Sequence, residues 1–188
     1  MNTVTVAEDR AAPVASYDPV ARSLHWLTVL LVLAEYIVGS LMPRIRLGTP
    51  VVLLIQLHFA LGSGLLLVVL ARILWRLTHR PPPPPPLPVW QKLVAGATHF
   101  ALYVALLLMP LAGWASASAH GYPVRAFGVI PFPALVPYKA HIGFKLGDVH
   151  ADVIYWILLA LIVMHVGAAL YHRLVKRDAV LSRMLPGW

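Results

Sequence analysis

The sequence predicts an all-α protein, a transmembrane four-helix bundle, and three observations support that prediction. Hydrophobic residues make up 60% of the 188 residues and charged residues only 12%, whereas soluble domains are about 45–50% apolar and about 25% charged. The mean hydropathy of +0.77 agrees with this bias. Four apolar stretches are each long enough to cross a bilayer core of about 30 Å. This composition excludes both a water-soluble globule and a disordered chain.

Helix-breaking residues and caps predict where the spans begin and end. The predicted spans cover residues 20–42, 51–77, 90–117 and 146–174. Asp18 followed by Pro19 is typical of a helix N-cap with proline in the first turn, so the first span begins there. The prolines at 81–86 forbid helix and predict a stiff connector between spans two and three. The segment 118–145 is predicted to be a long loop without helix or strand, a type of loop that is usually functional.

The basic residues predict the orientation of the chain. The net charge is +8, which favours contacts with anionic lipid rather than with nucleic acid in a protein of this class. Ten basic residues fall on the side of the termini: Arg10, Arg22, Arg72, Arg76, Arg80, Lys92, Arg173, Lys176, Arg177 and Arg183. Five fall on the other side: Arg44, Arg46, Arg125, Lys139 and Lys145. The chain is therefore expected to have a cytoplasmic tail at 1–18, a membrane domain at 19–175 and a second cytoplasmic tail at 176–188.

Histidine is the residue type that points to chemistry in this chain. Cysteine is absent, which excludes disulfides, thiolate-bound iron–sulfur clusters and covalent c-type haem. A histidine inside a bilayer is costly unless its ring nitrogens are engaged, so each one is a functional candidate. Five histidines within the predicted spans stand out: His25, His58, His99, His150 and His165.

Four of these histidines form two pairs at matched depth. His25 and His165 are expected near the inner leaflet, and His58 and His150 near the outer leaflet. The 15 residues between His150 and His165 correspond to a rise of roughly 22 Å and a net rotation of roughly 60°. This layout favours two bis-histidine b-type haems in the core of the bundle, with the four histidines as iron ligands. The alternative is that each histidine makes an interhelical hydrogen bond.

Two further residues are candidates for contacts with the cofactor. Arg72 follows His58 by 14 residues, so it is expected roughly 21 Å further in and on nearly the same helix face, where it can pair with a haem propionate. A role as a positive-inside anchor is equally consistent with its position. His172 follows His165 by two turns and is interpreted as a second contact to the inner haem or its propionate.

Three residues near the outer pair have open interpretations. Glu35 is an intramembrane carboxylate that either relays protons or makes a polar contact at the outer boundary, and the sequence indicates no partner for it. Gly62 and Gly64 follow the histidine of span two. They either allow a flat macrocycle to approach the backbone or serve ordinary helix packing.

Several stretches together resemble the prokaryotic cytochrome b561 family. They are SLHW at 23–26, LHFALG at 57–62, RILWRLTH at 72–79, GYPV at 121–124 with FG at 127–128, HVGAALYH at 165–172 and RD at 177–178. The resemblance extends over about residues 18–186, and it is specific in combination rather than motif by motif. It implies a bacterial inner-membrane cytochrome with four helices and two haem b groups.

The resemblance also implies a ligand set. By position, His25 and His165 would hold the inner haem, and His58 and His150 the outer one. Family members space the two ligands of the fourth span 14 residues apart, whereas here the spacing is 15. A bulge in the helix or a rotated outer haem would absorb the extra residue. His99 also recurs in the family, without an assigned role.

The function implied by the resemblance is electron transfer between the periplasmic face and the quinone pool, with ubiquinone as redox partner. One branch of the family resembles a superoxide:ubiquinone oxidoreductase, and the five outer basic residues would steer such an anion. A periplasmic redox protein is another possible electron donor, and lipid headgroup contact is the alternative role for each basic residue. Two other functions stay open: a cytochrome b subunit that anchors a hydrogenase or formate dehydrogenase, and a haem-free membrane scaffold or transporter.

Overall fold

The computed structural model describes residues 16–83 and 87–185. Residues 1–15, with the basic Arg10, and residues 84–86 of the proline run lie outside the described residues, as do the last three residues. Four helical spans are each long and apolar enough to cross a membrane: Pro19–Leu41 (α1), Leu53–Thr78 (α2), Val89–Ala119 (α3) and His141–Lys176. The predicted all-α fold with four membrane-spanning helices is therefore confirmed.

The start of α1 follows the predicted capping pattern. Asp18 is the N-cap, and its Oδ1 accepts a hydrogen bond of 2.9 Å from the backbone N–H of Ala21. Pro19 occupies the first helical position, where its missing N–H costs nothing. The indole Nε1 of Trp75 donates to the same carboxylate at 3.1 Å. One acidic residue thus caps α1 and ties it to the C-terminal end of α2.

Apolar side chains form both the core and the outer surface of the bundle. Leu31, Val69 and Leu158 are among the buried residues that meet between the helices. On the outside, Leu33 keeps 57% and Val163 keeps 64% of its surface exposed. Exposed leucine and valine around a whole bundle indicate that hydrocarbon, not water, surrounds these helices.

The fourth span begins five residues earlier than predicted and is not a uniform α-helix. Helix α4 covers His141–Val149, a π-helical segment covers His150–Ile154, and α5 covers Tyr155–Tyr171. A second π-helical segment, His172–Lys176, ends the span. The early start has a local cause: Lys139 adopts a left-handed conformation (φ 60°), and its N–H donates to the carbonyl of Ala119 at the end of α3.

The outer loop contains a small hairpin, which corrects the prediction of a loop without strands. Strands β1 (Arg125–Ala126) and β2 (Ile130–Pro131) pair antiparallel. At the turn, the N–H of Phe127 donates to the carbonyl of Ala60 in α2. A Cβ on Gly64 would overlap the Phe127 ring. Gly64 therefore makes room for the loop that follows α3, and its role toward a macrocycle stays a prediction.

Candidate cofactor-binding site

Five histidines of the spans form two clusters at different depths of the bundle. We call His58, His150 and Glu35 the outer cluster, following the predicted orientation. His25, His99 and His165, together with Arg72, are the inner cluster. The structure thus brings together the two histidine pairs that the depth argument proposed, and it adds Glu35 to one pair and His99 to the other.

In the outer cluster, α2 and the fourth span present facing imidazoles. The ring centroids of His58 and His150 lie 5.8 Å apart, with an angle of 81° between the ring planes. Nδ1 of His150 donates to the backbone carbonyl of Met109 at 2.8 Å. Because that bond places the proton on Nδ1, the lone pair of His150 is on Nε2. Gly113 provides space, since a Cβ there would lie 3.0 Å from Cε1 of His150.

The π-helical segment bears directly on the register of His150. A π-helical turn accommodates an additional residue within an otherwise α-helical span. The segment starts at His150, so it lies between the two histidines of the fourth span. The phenol of Tyr36 in α1 donates to the carbonyl of Tyr155, where the segment ends, at 2.9 Å. The helix bulge that would absorb the 15-residue spacing is therefore present and is braced from a neighbouring helix.

Glu35 is the second partner of the outer pair. Its Oε2 lies 2.5 Å from Nδ1 of His58, and the two side chains are only 12% and 17% exposed. Despite this short distance, Nδ1 of His58 makes no hydrogen bond of regular geometry. The other carboxylate oxygen, Oε1 of Glu35, also lacks a hydrogen-bond partner within the described residues. Gly62 faces the carboxylate, since a Cβ there would lie 3.7 Å from Oε1. The sequence carried one signal for the depth of Glu35, because this residue lies ten residues, roughly 15 Å, outward from His25 along the same helix.

The inner cluster has a different set of partners. The ring centroids of His25 and His165 lie 6.3 Å apart, and those of His99 and His165 lie 5.2 Å apart. Nη2 of Arg72 donates to Nδ1 of His25 at 3.0 Å, and its guanidinium lies over the ring of Tyr103 at 5.4 Å. Because a guanidinium only donates, Nδ1 of His25 carries the lone pair in this arrangement. The side chain of Arg72 thus contacts the proposed ligand itself.

A basic cavity of about 90 Å³ lies beside the inner cluster. Arg72, Arg76, His79, His99 and Tyr103 contribute to its walls. Four of these side chains, two arginines and two histidines, carry or can carry positive charge, so the cavity suits an anionic group such as a carboxylate.

His172 has a protein partner at the inner end of the fourth span. Its Nδ1 lies 2.5 Å from Oδ2 of Asp178. Partial burial raises the pKa of Asp178, but the hydrogen bonds from His172 and from the N–H of Val180 outweigh this effect, and the pKa lies below its usual value. Because Nδ1 is engaged, Nε2 is the nitrogen that remains for the expected contact to a cofactor.

The spacing within each of the two histidine pairs fits a haem. Metal–imidazole bonds are about 2 Å long, so two imidazoles on opposite sides of one metal have ring centroids roughly 6 Å apart. The measured values of 5.8 and 6.3 Å match this spacing. Within residues 16–83 and 87–185 no group of three or more His, Asp or Glu could hold a bare ion. A haem brings its own equatorial nitrogens and needs only two axial ligands, so the donor sets fit.

Comparison with known proteins gives the same class of molecule. A family model described as prokaryotic cytochrome b561 matches residues 16–187. Cytochrome b561 homolog 2 of Escherichia coli (strain K12) is 31% identical over 179 residues, which are 90% of each chain. A Yersinia pestis protein named probable superoxide oxidase CybB is 30% identical over 186 residues, 90% of this chain and 96% of that protein.

A more distant relative has a different named role. A probable Ni/Fe-hydrogenase 1 B-type cytochrome subunit of Escherichia coli (strain K12) is 24% identical in an alignment of 213 positions that covers 92% of this chain and 88% of that protein. The helices, the histidine pairs and the full-length matches agree with one another. The chain belongs to the prokaryotic cytochrome b561 family of membrane b-type cytochromes.

Proposed function

We propose that this protein is a di-haem cytochrome of the bacterial inner membrane that transfers electrons between the outer face and the quinone pool, with ubiquinone as its partner. The observation that carries the proposal is the presence of two facing imidazole pairs, one toward each end of a single bundle. Haem iron supplies one-electron redox chemistry when bound. His58 and His150 hold the outer haem, and His25 and His165 hold the inner haem.

The protein would supply two histidine ligands to each haem. Two imidazoles per iron would leave no open site for oxygen, which suits electron transfer rather than oxygen activation. In the outer cluster the hydrogen bond from Nδ1 of His150 to Met109 fixes the ligand atom as Nε2. The two sites share the fourth span, where 15 residues give a rise of roughly 22 Å between their ligands. Electrons therefore cross most of the hydrocarbon core within one chain.

The inner cluster supplies positive charge for the propionates. With the inner haem bound, Arg72 would pair with a propionate instead of Nδ1 of His25, and His172 would offer Nε2 to the same end of the cofactor. Nδ1 of His25 is then free to carry the proton that ligation through Nε2 requires. His99 lies beside His165 as a neighbour of the inner haem and is not an axial ligand.

Superoxide is the electron donor that we favour at the outer face. The relative named a probable superoxide oxidase matches over 96% of its length, and the outer side carries Arg44, Arg46, Arg125, Lys139 and Lys145. Arg44 forms an exposed ion pair of 3.2 Å with Asp152. Positive residues at the mouth of a site raise the encounter rate of a small anion. Each superoxide would leave as dioxygen after giving up one electron, and two electrons with two protons would convert ubiquinone to ubiquinol.

Three other assignments make different predictions. A periplasmic redox protein as donor would reduce the outer haem while superoxide would not. A subunit that anchors a hydrogenase, the named role of the 24% identical relative, would co-purify with a large iron–sulfur partner. A haem-free scaffold or transporter would show no Soret band.

The experiment uses detergent-purified holoprotein from membranes. An enzymatic source of superoxide is added without oxygen-reactive dyes, and haem reduction and reduction of a soluble ubiquinone analogue are followed by absorbance. We expect both haems to be reduced and the quinone to accept electrons, while His58→Ala loses the superoxide-dependent step. Haem-loaded protein that exchanges no electrons with quinone in either direction would contradict the proposal. A reporter fused after Trp188 tests the orientation, because activity only in the periplasm would contradict cytoplasmic termini.

A further inference from the structure

We propose that Glu35 is a positioning residue for the outer haem: its carboxylate holds Nδ1–H of His58, keeps Nε2 as the ligand atom and lowers the midpoint potential of that haem. The inference rests on the proposed ligation by His58 and deepens it. The sequence left the role of Glu35 open between a proton relay and a polar contact.

The contact between Glu35 and His58 supports this role. Glu35 on α1 and His58 on α2 meet with Oε2 and Nδ1 only 2.5 Å apart, and both side chains are largely buried. Ligation through Nε2 requires an N–H on Nδ1, and the carboxylate lies within hydrogen-bond distance of that nitrogen. A buried carboxylate is costly unless it accepts hydrogen bonds. In the part of the chain that the structure describes, Oε1 has none, so the imidazole is the donor on which this carboxylate depends.

The two proposed outer ligands, His58 and His150, differ in the partner of Nδ1. His150 donates from Nδ1 to a neutral backbone carbonyl, whereas His58 faces a carboxylate. A carboxylate on the far nitrogen of a metal-bound histidine fixes the tautomer and makes the ring a stronger donor. A stronger donor favours the ferric state, which carries one more positive charge than the ferrous state. The potential of the outer haem should therefore be lower than the same ligand pair would give with two carbonyl partners.

Glycines on both helices bound the space around the carboxylate and the imidazole. Gly62 on α2 faces Glu35, and a Cβ there would lie 3.7 Å from Oε1. Gly39 on α1 faces the imidazole in the same way, with a Cβ 3.7 Å from Cε1 of His58. Both distances are ordinary contacts, so the pair is enclosed without being compressed. A carboxylate and an imidazole thus share one closely bounded site between α1 and α2.

An ordinary structural role for Glu35 makes a different prediction. A polar contact that only joins α1 to α2 would change thermal stability when it is removed, but it would not change the redox equilibrium of one haem. The discriminating measurement is therefore a potential and not an activity.

The experiment is a spectroelectrochemical titration of holoprotein containing Glu35→Gln. Glutamine keeps the size and an acceptor oxygen but removes the charge. We expect the ferric/ferrous equilibrium of the outer haem to shift at least tenfold toward the ferrous form, about 59 mV for one electron, with the inner haem unchanged. Asp152→Asn is the matched control, because it removes an exposed carboxylate of the same predicted outer end, and its shift should be smaller.

Two further variants keep the result decisive. If Glu35→Gln does not accumulate, Glu35→Asp withdraws the carboxylate by one methylene, and a smaller upward shift is expected. An unchanged outer potential in whichever variant carries two haems overturns the inference. Loss of one low-spin signal in His58→Ala together with that unchanged potential would refute only the role of Glu35. Retention of both low-spin signals in His58→Ala would refute the ligand assignment itself.

Discussion

The outer and inner clusters pair similar imidazoles with oppositely charged neighbours. In the outer cluster, Nδ1 of His150 faces a carbonyl and Nδ1 of His58 faces the carboxylate of Glu35. In the inner cluster, Nδ1 of His25 accepts from Arg72, and a third histidine lies close by. A negative neighbour stabilises ferric iron and a positive neighbour stabilises ferrous iron. With the proposed bis-histidine ligation at both sites, these surroundings are expected to make electron transfer from the outer to the inner haem favourable.

The clusters also differ in how much their side chains must rearrange before a haem can bind. The bond from His150 to Met109 already leaves Nε2 of that residue as the free nitrogen. His25 must lose the hydrogen bond from Arg72 before its Nδ1 can carry a proton. Preorganised sites bind more tightly because less rearrangement opposes binding. We therefore expect the outer haem to be retained longer than the inner haem during purification.

The largest expected effect comes from removing one axial ligand of each cluster. His58→Ala should lose the outer low-spin haem and His165→Ala the inner one, each leaving about half of the low-spin EPR signal, because the two sites share no ligand. His99→Ala is the control on the inner side and should leave both signals. If His99→Ala abolishes a low-spin signal that His25→Ala retains, the inner ligand pair is wrong.

The next effect concerns the π-helical segment of the fourth span. Deleting Ala151 removes the additional residue and should retain both haems, because an α-helical turn then keeps His150 in register with His165. Inserting one alanine after Ala151 rotates His150 by about 100° and should reduce the haem content by about one per chain. Equal haem contents in the deletion and insertion variants would show that the segment does not set the register.

A smaller effect is expected from the arginine of the inner cluster. Arg72→Gln removes a positive charge beside the inner haem and should lower its midpoint potential by about 60 mV, a tenfold change in the equilibrium. Arg76→Gln, which affects the same cavity, serves as the control and should give a smaller shift. A lower potential of the outer haem, with that of the inner haem unchanged, would contradict the placement of Arg72 beside the inner haem.

The smallest effect is expected from Asp178 at the inner end. Its pKa is lowered in the folded protein, so the pair with His172 stabilises the fold above the unfolded value of about 3.9 and loses that contribution as the pH falls through the lower folded value. Asp178→Asn should therefore melt at a lower temperature than the parent near pH 7, and the two should converge at acidic pH. Thermal melts followed by circular dichroism measure the difference. A gap that widens on acidification would contradict the pairing.

The sequence predicted the helices and the depth of the histidines because both follow from fixed quantities. Helix rise is constant, so counting residues from either end placed His25 beside His165 and His58 beside His150. The N-cap at Asp18 was also predicted, since capping depends on adjacent residues. The proposed cofactor roles of these histidines stay predictions.

The lateral partners were not predictable from the sequence. Contact between Glu35 and His58 depends on how α1 and α2 are rotated against each other, which rise alone does not give. The packing of Phe127 against Gly64 joins a loop to a helix more than 60 residues away in the chain. The π-helical segment at His150 was indicated only by one additional residue in a spacing. These features arise from tertiary packing, which local patterns do not encode.

The number of haem groups per polypeptide shows whether both histidine pairs hold a cofactor. A pyridine haemochromogen assay on protein quantified by amino-acid analysis gives this ratio without assumptions about ligands or donors. Two facing imidazole pairs in one chain predict a value close to two haem b groups per polypeptide. A reproducible value of one, in protein purified with added haem, would contradict the account, because one of the two clusters would then hold no cofactor.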